Sequence, residues 1–317
     1  MSKILICDPI GKEGIGFLRA KGCEVVLCPN ITAAELTNAV LDVDAIIVRS
    51  RTQIPSSVIA KAKQLKAIAR SGTGVDNIDC AAARKRKIFV INAPGANSES
   101  VAEHVFGMLL THVRHLVATT AMMRKGGWPK HEFTRTELLG KTIGIVGYGH
   151  IGQRVAEIAV AFGMNILVYN RTTNDPDKKK HLLRVGGSFV PLETLMKESD
   201  FVTLHVTLTP ETRGLIGEKL FALMKQNAIL VNASRGPVVD EKALISVLKN
   251  KKIGGAALDV FETEPLPDDS PLRVMDSVLL SPHVAADSNE GENRASRMIA
   301  EDIIRVLTGK NPLHMVR

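Results

Sequence analysis

Three polar residues in the C-terminal third of the chain have the chemistry to transfer a proton and hold a carboxylate. His283 follows an apolar run and a proline, and imidazole titrates near neutral pH, where it can give or take a proton. Glu264 could orient such a base, and Arg235 could present its planar guanidinium to a carboxylate. Glu264 and Arg235 could equally be ordinary loop and surface residues.

Eight other histidines compete with His283 for the role of base. His205 ends an apolar run and is the main rival. His150 lies inside a glycine motif, where contact with a phosphate is expected instead. His104 falls on a helical pattern, where a structural histidine is the ordinary interpretation. The position after a strand and a proline favours His283.

A glycine motif at Gly147–Gly152 has the G-x-G-x-x-G spacing of a dinucleotide-binding turn. An apolar run precedes it and a helical pattern follows, which is the context that this motif requires. Gly147 permits the tight turn, Gly149 lets the backbone approach a pyrophosphate, and Gly152 lets the helix pack close to the strand. A glycine-rich turn that serves packing alone is the alternative.

Together these residues predict hydride transfer between a nicotinamide dinucleotide and a carbon bearing a hydroxyl or carbonyl. His283 would move the hydroxyl proton, and Glu264, bonded to its other ring nitrogen, would favour the imidazolium. Arg235 would hold the substrate carboxylate and polarise the carbonyl.

Short apolar runs alternate with helical patterns along most of the chain, which predicts parallel sheets with helices on both faces. About the first 95 residues form one α/β unit, and the glycine motif opens a second. Periodicity does not show to which unit the last helix belongs. Strands are expected at 3–7, 24–27, 44–48, 66–70, 88–92, 143–146, 165–169, 200–205, 228–232, 253–258 and 278–280. Helices are expected at 11–21, 32–41, 55–63, 78–86, 100–123, 192–198, 218–224, 240–249 and 290–308, with one more after the glycine motif.

The composition is that of an ordinary globular protein, with 45% apolar and 23% charged residues among 317. No apolar run is long enough to span a membrane, and the N-terminus lacks the features of a signal peptide. The four cysteines form no C-x-x-C pair and no metal cluster, so reduced thiols in a cytoplasmic protein are expected. A net charge of +8 without aromatic interleaving favours a solvated surface over a nucleic-acid interface.

Several motifs in order resemble the D-isomer-specific 2-hydroxyacid dehydrogenase family over nearly the whole chain. Besides the glycine motif, they are Gly72–Asp79, Asn92–Asn97 with Ala102-Glu103, Asn232–Gly236, Leu258–Glu262 with Glu264-Pro265, and Ser281–His283. Arg49-Ser-Arg51-Thr52 and Gly72–Asp79 are most similar to the short form of the branch that acts on 3-phosphoglycerate.

The resemblance implies Arg235, Glu264 and His283 as the catalytic residues, and it places Thr73 and Gly74 where substrate carboxylate and cofactor meet. It also implies cofactor contacts, at Thr73, His150, Ile151, Asn170, Val206, Ala233 and Asp259.

The resemblance further implies a Rossmann domain inserted into a flavodoxin-like substrate domain. The substrate-binding domain would comprise 1–98 and 285–317, with the last helix returning to it. The dinucleotide-binding domain would comprise 99–284, and a homodimer would form through the helix region 100–123.

The strand after the glycine motif departs from the pattern of an NAD enzyme, which has an acidic residue at its end. Asn170 removes the charge that would repel a 2′-phosphate, and Arg171 can pair with one, so NADP(H) is favoured over NAD(H). Alternatively, Arg171 points into solvent and NAD binds. The chain departs from the family pattern at two other places. Val206-Thr207 stands where a proline is usual, and because the chain ends at 317, no regulatory C-terminal domain is expected.

The expected substrate is a small anionic D-2-hydroxyacid, with 3-phosphoglycerate first. Arg49, Arg51 and Arg70 are candidate partners of its phosphate, although each could be a surface charge. A glyoxylate/hydroxypyruvate reductase is the alternative enzyme. A dinucleotide-sensing corepressor that binds partner peptides is the alternative of another class, against which a complete catalytic trio argues.

Overall fold

A computed structural model describes residues 1–316 of the chain, which form two compact units. The first unit comprises Met1–Ser98 and the segment that starts at Ala286, and the second is Glu99–Ala285. Both are α/β units with a single parallel sheet.

The first unit has a five-stranded parallel sheet in the order β2-β1-β3-β4-β5, the flavodoxin-like arrangement. Its strands are β1 (Lys3–Ile6), β2 (Glu24–Leu27), β3 (Ala45–Val48), β4 (Ala67–Arg70) and β5 (Phe89–Ile91). Its helices are α1 (Lys12–Ala20), α2 (Ala33–Ala39), α3 (Ser56–Lys61), α4 (Cys80–Lys85) and α12 (Asn289–Leu307). The central strand β3 is buried throughout, because helices cover both faces of the sheet.

The last helix, α12, packs against α1 of the first unit. Gly14 makes this close approach possible, since a Cβ there would lie 2.5 Å from the carbonyl oxygen of Ser296. The Gly14 N–H also donates a hydrogen bond to Ser296 Oγ. A chain segment that follows the second unit therefore completes the core of the first.

The second unit has a seven-stranded parallel sheet in the order β12-β11-β10-β9-β6-β7-β8, a Rossmann arrangement. Its strands are β6 (Thr142–Val146), β7 (Asn165–Tyr169), β8 (Ser188–Phe189), β9 (Phe201–Leu204), β10 (Ile229–Asn232), β11 (Gly255–Leu258) and β12 (Val278–Leu280). Its helices are α5 (Ser98–Val113), α6 (Leu116–Arg124), α7 (His150–Ala161), α8 (Pro176–Arg184), α9 (Leu192–Glu198), α10 (Glu218–Phe221) and α11 (Glu241–Lys249). The predicted fold class, two doubly wound parallel sheets with the Rossmann unit inserted, is confirmed.

The single long helix predicted at 100–123 is wrong in two respects. It begins at Ser98, and it breaks into α5 and α6 at His115, whose φ of 54° is left-handed. Apolar periodicity continues across the break, which is why the pattern read as one helix. Strand β8 was not predicted, since it has only two residues.

No helix within residues 1–316 is long and apolar enough to cross a membrane. Over the same residues, no group of three or more His, Cys, Asp or Glu side chains is arranged to hold a metal ion.

Candidate active site

His283 and Glu264 form a hydrogen-bonded pair at the C-terminal edge of the second sheet. His283 lies just beyond β12, and its Nδ1 is 2.7 Å from Glu264 Oε2. Within residues 1–316, Nε2 takes part in no hydrogen bond, and about a third of the His283 side chain is exposed. This leaves Nε2 as the ring nitrogen that can exchange a proton with a bound molecule.

Glu264 is held in its ionised form by the groups around it. Partial burial of Glu264 by itself would raise the pKa of its carboxyl. Hydrogen bonds from His283 and from the Phe261 N–H, together with the positive charges of His283 and Arg235, outweigh this effect and lower the pKa below 4.5. The carboxylate is therefore negative at neutral pH and can stabilise positive charge on the imidazole of His283.

Arg235 follows β10, and its position depends on a close approach of two loops. Its carbonyl accepts a hydrogen bond from Asn232 Nδ2, and its guanidinium donates one to the Ser234 carbonyl at 2.7 Å. The next residue is Gly236, where a Cβ would lie 1.8 Å from the Phe261 carbonyl oxygen, so only glycine fits. The loops after β10 and β11 can thus bring the charge of Arg235 close enough to act on Glu264.

A cavity of about 520 Å³ opens beside the His283–Glu264 pair. Besides the pair, its wall is made of apolar side chains, one hydroxyl and one cation, namely Phe261, Pro265, Leu266, Leu280, Pro282, Ser281 and Arg273. The His283–Glu264 pair thus borders a largely apolar recess, which strengthens charge interactions at its edge.

Asp259, the residue after β11, is fully buried, and its carboxylate binds the segment that carries His283. Oδ1 accepts hydrogen bonds from the Val284 N–H at 3.0 Å and Ser281 Oγ at 2.5 Å. Oδ2 accepts one from the Ala285 N–H at 2.9 Å. Both oxygens thus bind the segment that carries His283, and the contact of Asp259 with a cofactor stays a prediction.

The glycine motif forms a tight turn between β6 and α7. A Cβ at Gly147, whose φ is 98°, would lie 2.6 Å from the His205 carbonyl oxygen, and one at Gly152 would lie 2.2 Å from the Gly147 oxygen. A Cβ at Gly149 would meet no protein atom within 4 Å. Protein packing thus requires glycine at the outer two positions, whereas the middle one leaves open space that a ligand can approach.

Other features of this turn fit a nicotinamide dinucleotide. Helix α7 begins at His150 without a side-chain cap, so its first N–H groups can bind a phosphate. The turn lies where the strand order reverses, between β6 and β9, the usual ligand site of such sheets. Exposed His150 and half-buried Ile151 open α7, and half-buried Val206 and Ala233 follow β9 and β10 at the same edge of the sheet.

Asn170 connects the end of β7 to the glycine turn. Its Oδ1 accepts the Tyr148 N–H at 3.0 Å, and its Nδ2 donates to the Thr172 carbonyl at 2.6 Å. The neighbouring Arg171 is exposed. The edge of the cofactor turn thus carries an amide and a nearby cation instead of a carboxylate.

His205, the rival base, is placed unsuitably for proton transfer. Its Nε2 is 2.9 Å from Thr203 Oγ1, and its buried Nδ1 has no hydrogen-bond partner within residues 1–316. Desolvation lowers the pKa of His205 well below 6.5, so the ring is neutral. Neither nitrogen is available to a bound substrate.

Thr73 and Gly74 lie in the first unit, in the loop after β4. Asn92 Nδ2 donates to the Thr73 carbonyl at 2.7 Å, and Thr73 Oγ1 donates to Asn97 Oδ1 at 3.1 Å. Arg70 packs over Gly72, where a Cβ would lie 2.0 Å from a guanidinium nitrogen. The two polar bonds fix a loop whose Thr73 remains exposed.

Arg49 and Arg51 lie at the β1/β3 switch point, but their charges are balanced internally. Arg49 pairs with Asp287 and with Glu292, the latter at 2.7 Å. Arg51 pairs with buried Asp8 at 2.9 Å and donates to the carbonyl oxygens of Cys7, Pro29 and Ile31. These acidic partners would compete with a substrate phosphate, and the binding of a phosphate by Arg49 and Arg51 stays a prediction.

The sequence profile described as D-isomer specific 2-hydroxyacid dehydrogenase, NAD binding domain, matches residues 106–285, more than half of the chain. This chain belongs to the D-isomer specific 2-hydroxyacid dehydrogenase family.

Curated relatives and solved structures cover nearly the whole chain. A D-3-phosphoglycerate dehydrogenase of Methanocaldococcus jannaschii is 46% identical over 98% of this chain, and this chain spans 58% of that relative's length. A hydroxypyruvate reductase of Thermotoga maritima is 40% identical over 96% of this chain and 98% of its own. The crystal structure of the TT0316 protein of Thermus thermophilus has a TM-score of 0.90 at 34% identity, covering 99% and 100% of the two chains.

Two groups near the family's motifs were not identified from the sequence as parts of the site. Ser281 and His104 adjoin Asp259, and Tyr148 within the glycine motif bonds to His181 Nδ1 at 2.7 Å. No spacing rule links these partners, which lie far apart in the chain. The sequence offered one signal for Ser281, namely its position two residues before His283.

Proposed function

We propose that this protein is an oxidoreductase that transfers hydride between a nicotinamide dinucleotide and a D-2-hydroxyacid/2-ketoacid pair. The His283–Glu264 pair carries this proposal, because it presents a free imidazole nitrogen at the edge of a sheet that also holds the dinucleotide turn. Membership of a family of 2-hydroxyacid dehydrogenases supports it, and the resemblance of the motifs implies this pair and Arg235 as the catalytic residues.

A bound nicotinamide dinucleotide would supply the hydride acceptor or donor. In the oxidative direction, His283 accepts the substrate hydroxyl proton at Nε2, and the bond from Nδ1 to Glu264 stabilises the resulting imidazolium. In the reductive direction, the same nitrogen returns the proton to the carbonyl oxygen. Arg235 holds the substrate carboxylate by charge and hydrogen bonds and thereby orients the reacting carbon.

The proposed substrate is 3-phosphoglycerate, taken up by the first unit, for which we propose the substrate-binding role. The name of the M. jannaschii relative supports this choice, although this chain spans 58% of it. The exposed Thr73 loop is the proposed substrate contact of this unit, and Arg49, Arg51 and Arg70 are the candidates for the phosphate. Reduction of glyoxylate or hydroxypyruvate is the second candidate, which the name of the full-length T. maritima relative favours.

The proposed cofactor is NADP(H) in preference to NAD(H). Asn170 presents no negative charge to a 2′-phosphate, and Arg171 is exposed next to it. A 2′-phosphate at this place would meet a cation instead of the acidic residue that binds the ribose hydroxyls in NAD enzymes.

The proposed assembly is a homodimer formed through the α5–α6 region. Helix α6 has no buried residue, although it is rich in apolar side chains. Val117 is 60% exposed and Trp128, after the helix, is 76% exposed. Such a surface is typical of a region that a second copy covers.

One assay tests the proposed activity. Wild-type protein would be measured with 3-phosphoglycerate, hydroxypyruvate, glyoxylate and lactate/pyruvate, each with NAD(H) and NADP(H). His283→Ala should lower kcat by about 100-fold or more on the preferred substrate, since it removes the base. A His131→Ala variant, which changes an exposed histidine, is the control. Turnover that survives in His283→Ala would overturn the mechanism, and no turnover with any pair would favour a dinucleotide-sensing binding protein.

A further inference from the structure

His104 on α5 forms a hydrogen-bonded chain with two residues next to the catalytic histidine. Its Nε2 is 3.1 Å from Ser281 Oγ, and Ser281 Oγ is 2.5 Å from Asp259 Oδ1. His104 Nε2 also lies 3.6 Å from that same carboxylate oxygen. All three residues belong to the second unit.

The segment after β12 holds His283 in a backbone conformation that its side chain disfavours. His283 has a φ of 57°, in the left-handed region that few non-glycine residues adopt. Its N–H donates to the Asp259 carbonyl at 2.7 Å, while the carboxylate of Asp259 binds the next two N–H groups. A conformation of this kind persists only where its surroundings hold it firmly.

The direction of the hydrogen bonds follows from Asp259. Its carboxylate accepts two backbone N–H groups, which cannot reverse, so Ser281 Oγ can satisfy the short contact only by donating its proton to Oδ1. The Ser281 oxygen must then accept from His104, which places a proton on His104 Nε2.

His104 therefore supplies the outermost donor of the cluster, from a different element than the turn itself. The turn, Ser281 and Asp259 all come from segments after β11 and β12, whereas His104 is anchored in the sixteen-residue helix α5. Met108, one helical turn further, packs its sulfur 3.9 Å from Ser281 Oγ. Helix α5 thus contacts the base of the catalytic turn through two side chains on one face.

We propose that His104 is a positioning residue, which holds the left-handed turn of His283 through Ser281 and Asp259 and so aims its imidazole at Glu264. This inference rests on the proposed function of His283. His104 itself lies behind the turn and neither donates nor accepts the reacting proton.

Paired variants of His104 test this proposal. His104→Ala removes the donor, whereas His104→Gln keeps an N–H that can reach Ser281. We expect His104→Ala to lower kcat by about tenfold, because a small misplacement of a catalytic group is costly, with little change in the KM of either substrate. His104→Gln should restore most of the loss. His112→Gln, on the same helix but without a hydrogen bond to the turn, is the matched control.

A second measurement reports on the turn without turnover. In protein labelled at histidine Cε1, the His283 resonance, assigned with His283→Ala, should shift in His104→Ala and Ser281→Ala and return towards the wild-type position in His104→Gln. The fold-loss of kcat in the His104→Ala/Ser281→Ala double variant should be smaller than the product of the two single-variant losses, because both residues act through one chain of hydrogen bonds.

The outcomes separate this proposal from the proposed function. If His104→Ala leaves kcat and the His283 resonance unchanged while His283→Ala abolishes turnover, the positioning role is overturned and the enzymatic function stands. If equal losses occur in His104→Ala, His104→Gln and His112→Gln, His104 serves only the packing of α5 and the proposal is likewise overturned. If the wild-type protein turns over no substrate but the His283 resonance still shifts in His104→Ala, the proposed enzymatic function is wrong. His104 then supports the turn of His283 without a role in catalysis.

Discussion

The imidazole of His283 has a defined orientation because acidic residues hold both its side chain and its backbone. Glu264 binds Nδ1 at 2.7 Å, and Asp259 binds the N–H groups of residues 283–285. The two acids differ in burial, since Asp259 is inaccessible whereas the Glu264 side chain is 36% exposed. Asp259 therefore binds the backbone of this segment, and Glu264 binds the imidazole ring.

Replacing Glu264 by Gln should lower kcat by about 100-fold, because the neutral amide cannot stabilise an imidazolium at His283. The variant should also change the acid stability of the protein. The folded-state pKa of Glu264 lies below 4.5, so its ionised form stabilises the fold above that pH, and this contribution is lost as the pH falls through the lowered pKa. Between pH 6 and 3, the free energy of unfolding measured in urea should therefore fall more steeply with decreasing pH in the wild type than in Glu264→Gln. Equal slopes for the two proteins would show that ionised Glu264 does not stabilise the fold.

Replacing Asn170 by Asp should shift cofactor preference towards NAD(H). The new carboxylate can still accept the Tyr148 N–H, but it would repel a 2′-phosphate, so the ratio of kcat/KM for NADPH over NADH should fall by about tenfold or more. Asn174→Asp adds the same charge to an exposed position of the loop and is the control. A tenfold preference of the wild type for NAD would refute the proposed role of Asn170 and Arg171.

Among the elements, strand ends bring the site residues together, because parallel strands point their carboxyl ends to one edge. His283, Asp259, Arg235 and Gly147 each follow the end of a different strand of the second sheet. The first sheet is arranged in the same way, but its edge strand β5 gains an additional partner. Residues 314–316 run antiparallel beside β5, through hydrogen bonds between Asn92 and His314 and between Val316 and Val90.

Asp302 fixes this C-terminal segment, and its removal should destabilise the first unit. The buried carboxylate accepts the N–H groups of Leu313 and His314 and lies 2.9 Å from His314 Nδ1. Asp302→Ala leaves these donors unpaired and should cost about 2–4 kcal/mol of unfolding free energy. The control is Glu301→Gln, which breaks a surface ion pair with Arg297 and should cost at most about 0.5 kcal/mol. Denaturant titration measures the unfolding free energy of both variants. A similarly small loss in Asp302→Ala and Glu301→Gln would contradict the proposal that Asp302 anchors the C-terminal segment.

At the scale of the whole molecule, two units of the same architectural class carry separate parts of the proposed chemistry. The second unit holds the base, its acidic partner and the dinucleotide turn, and the first holds the Thr73 loop. Each sheet has its own cores on both faces, so each unit has the packing of an independent domain.

The exposed apolar surface of α6 predicts a dimer that charge can disrupt. Val117→Lys combined with Met123→Lys places two cations on that surface and should convert the protein to a monomer, as measured by light scattering across a concentration series. Leu183→Lys, at a 77% exposed residue on α8, should leave the mass unchanged. If the wild-type protein is monomeric at every concentration measured, the proposal of a homodimer is wrong.

The sequence by itself determined the fold class and which short stretches carry chemistry. Periodicity located most strands because buried parallel strands are continuous apolar runs, and Gly147–Gly152 was recognisable because its spacing reflects local backbone geometry. The break between α5 and α6 at His115 was not predicted, since the apolar pattern continues across it.

Only the tertiary structure decided what these residues contact. It paired His283 with Glu264, paired Arg49 and Arg51 with internal acids, and bonded Asp259 to the turn that carries His283. It also brought His104 to Ser281 across 177 positions of the chain. Such contacts depend on how strands and helices pack, and hydrogen-bonding partners that are distant in the chain leave no periodic signal in a single sequence.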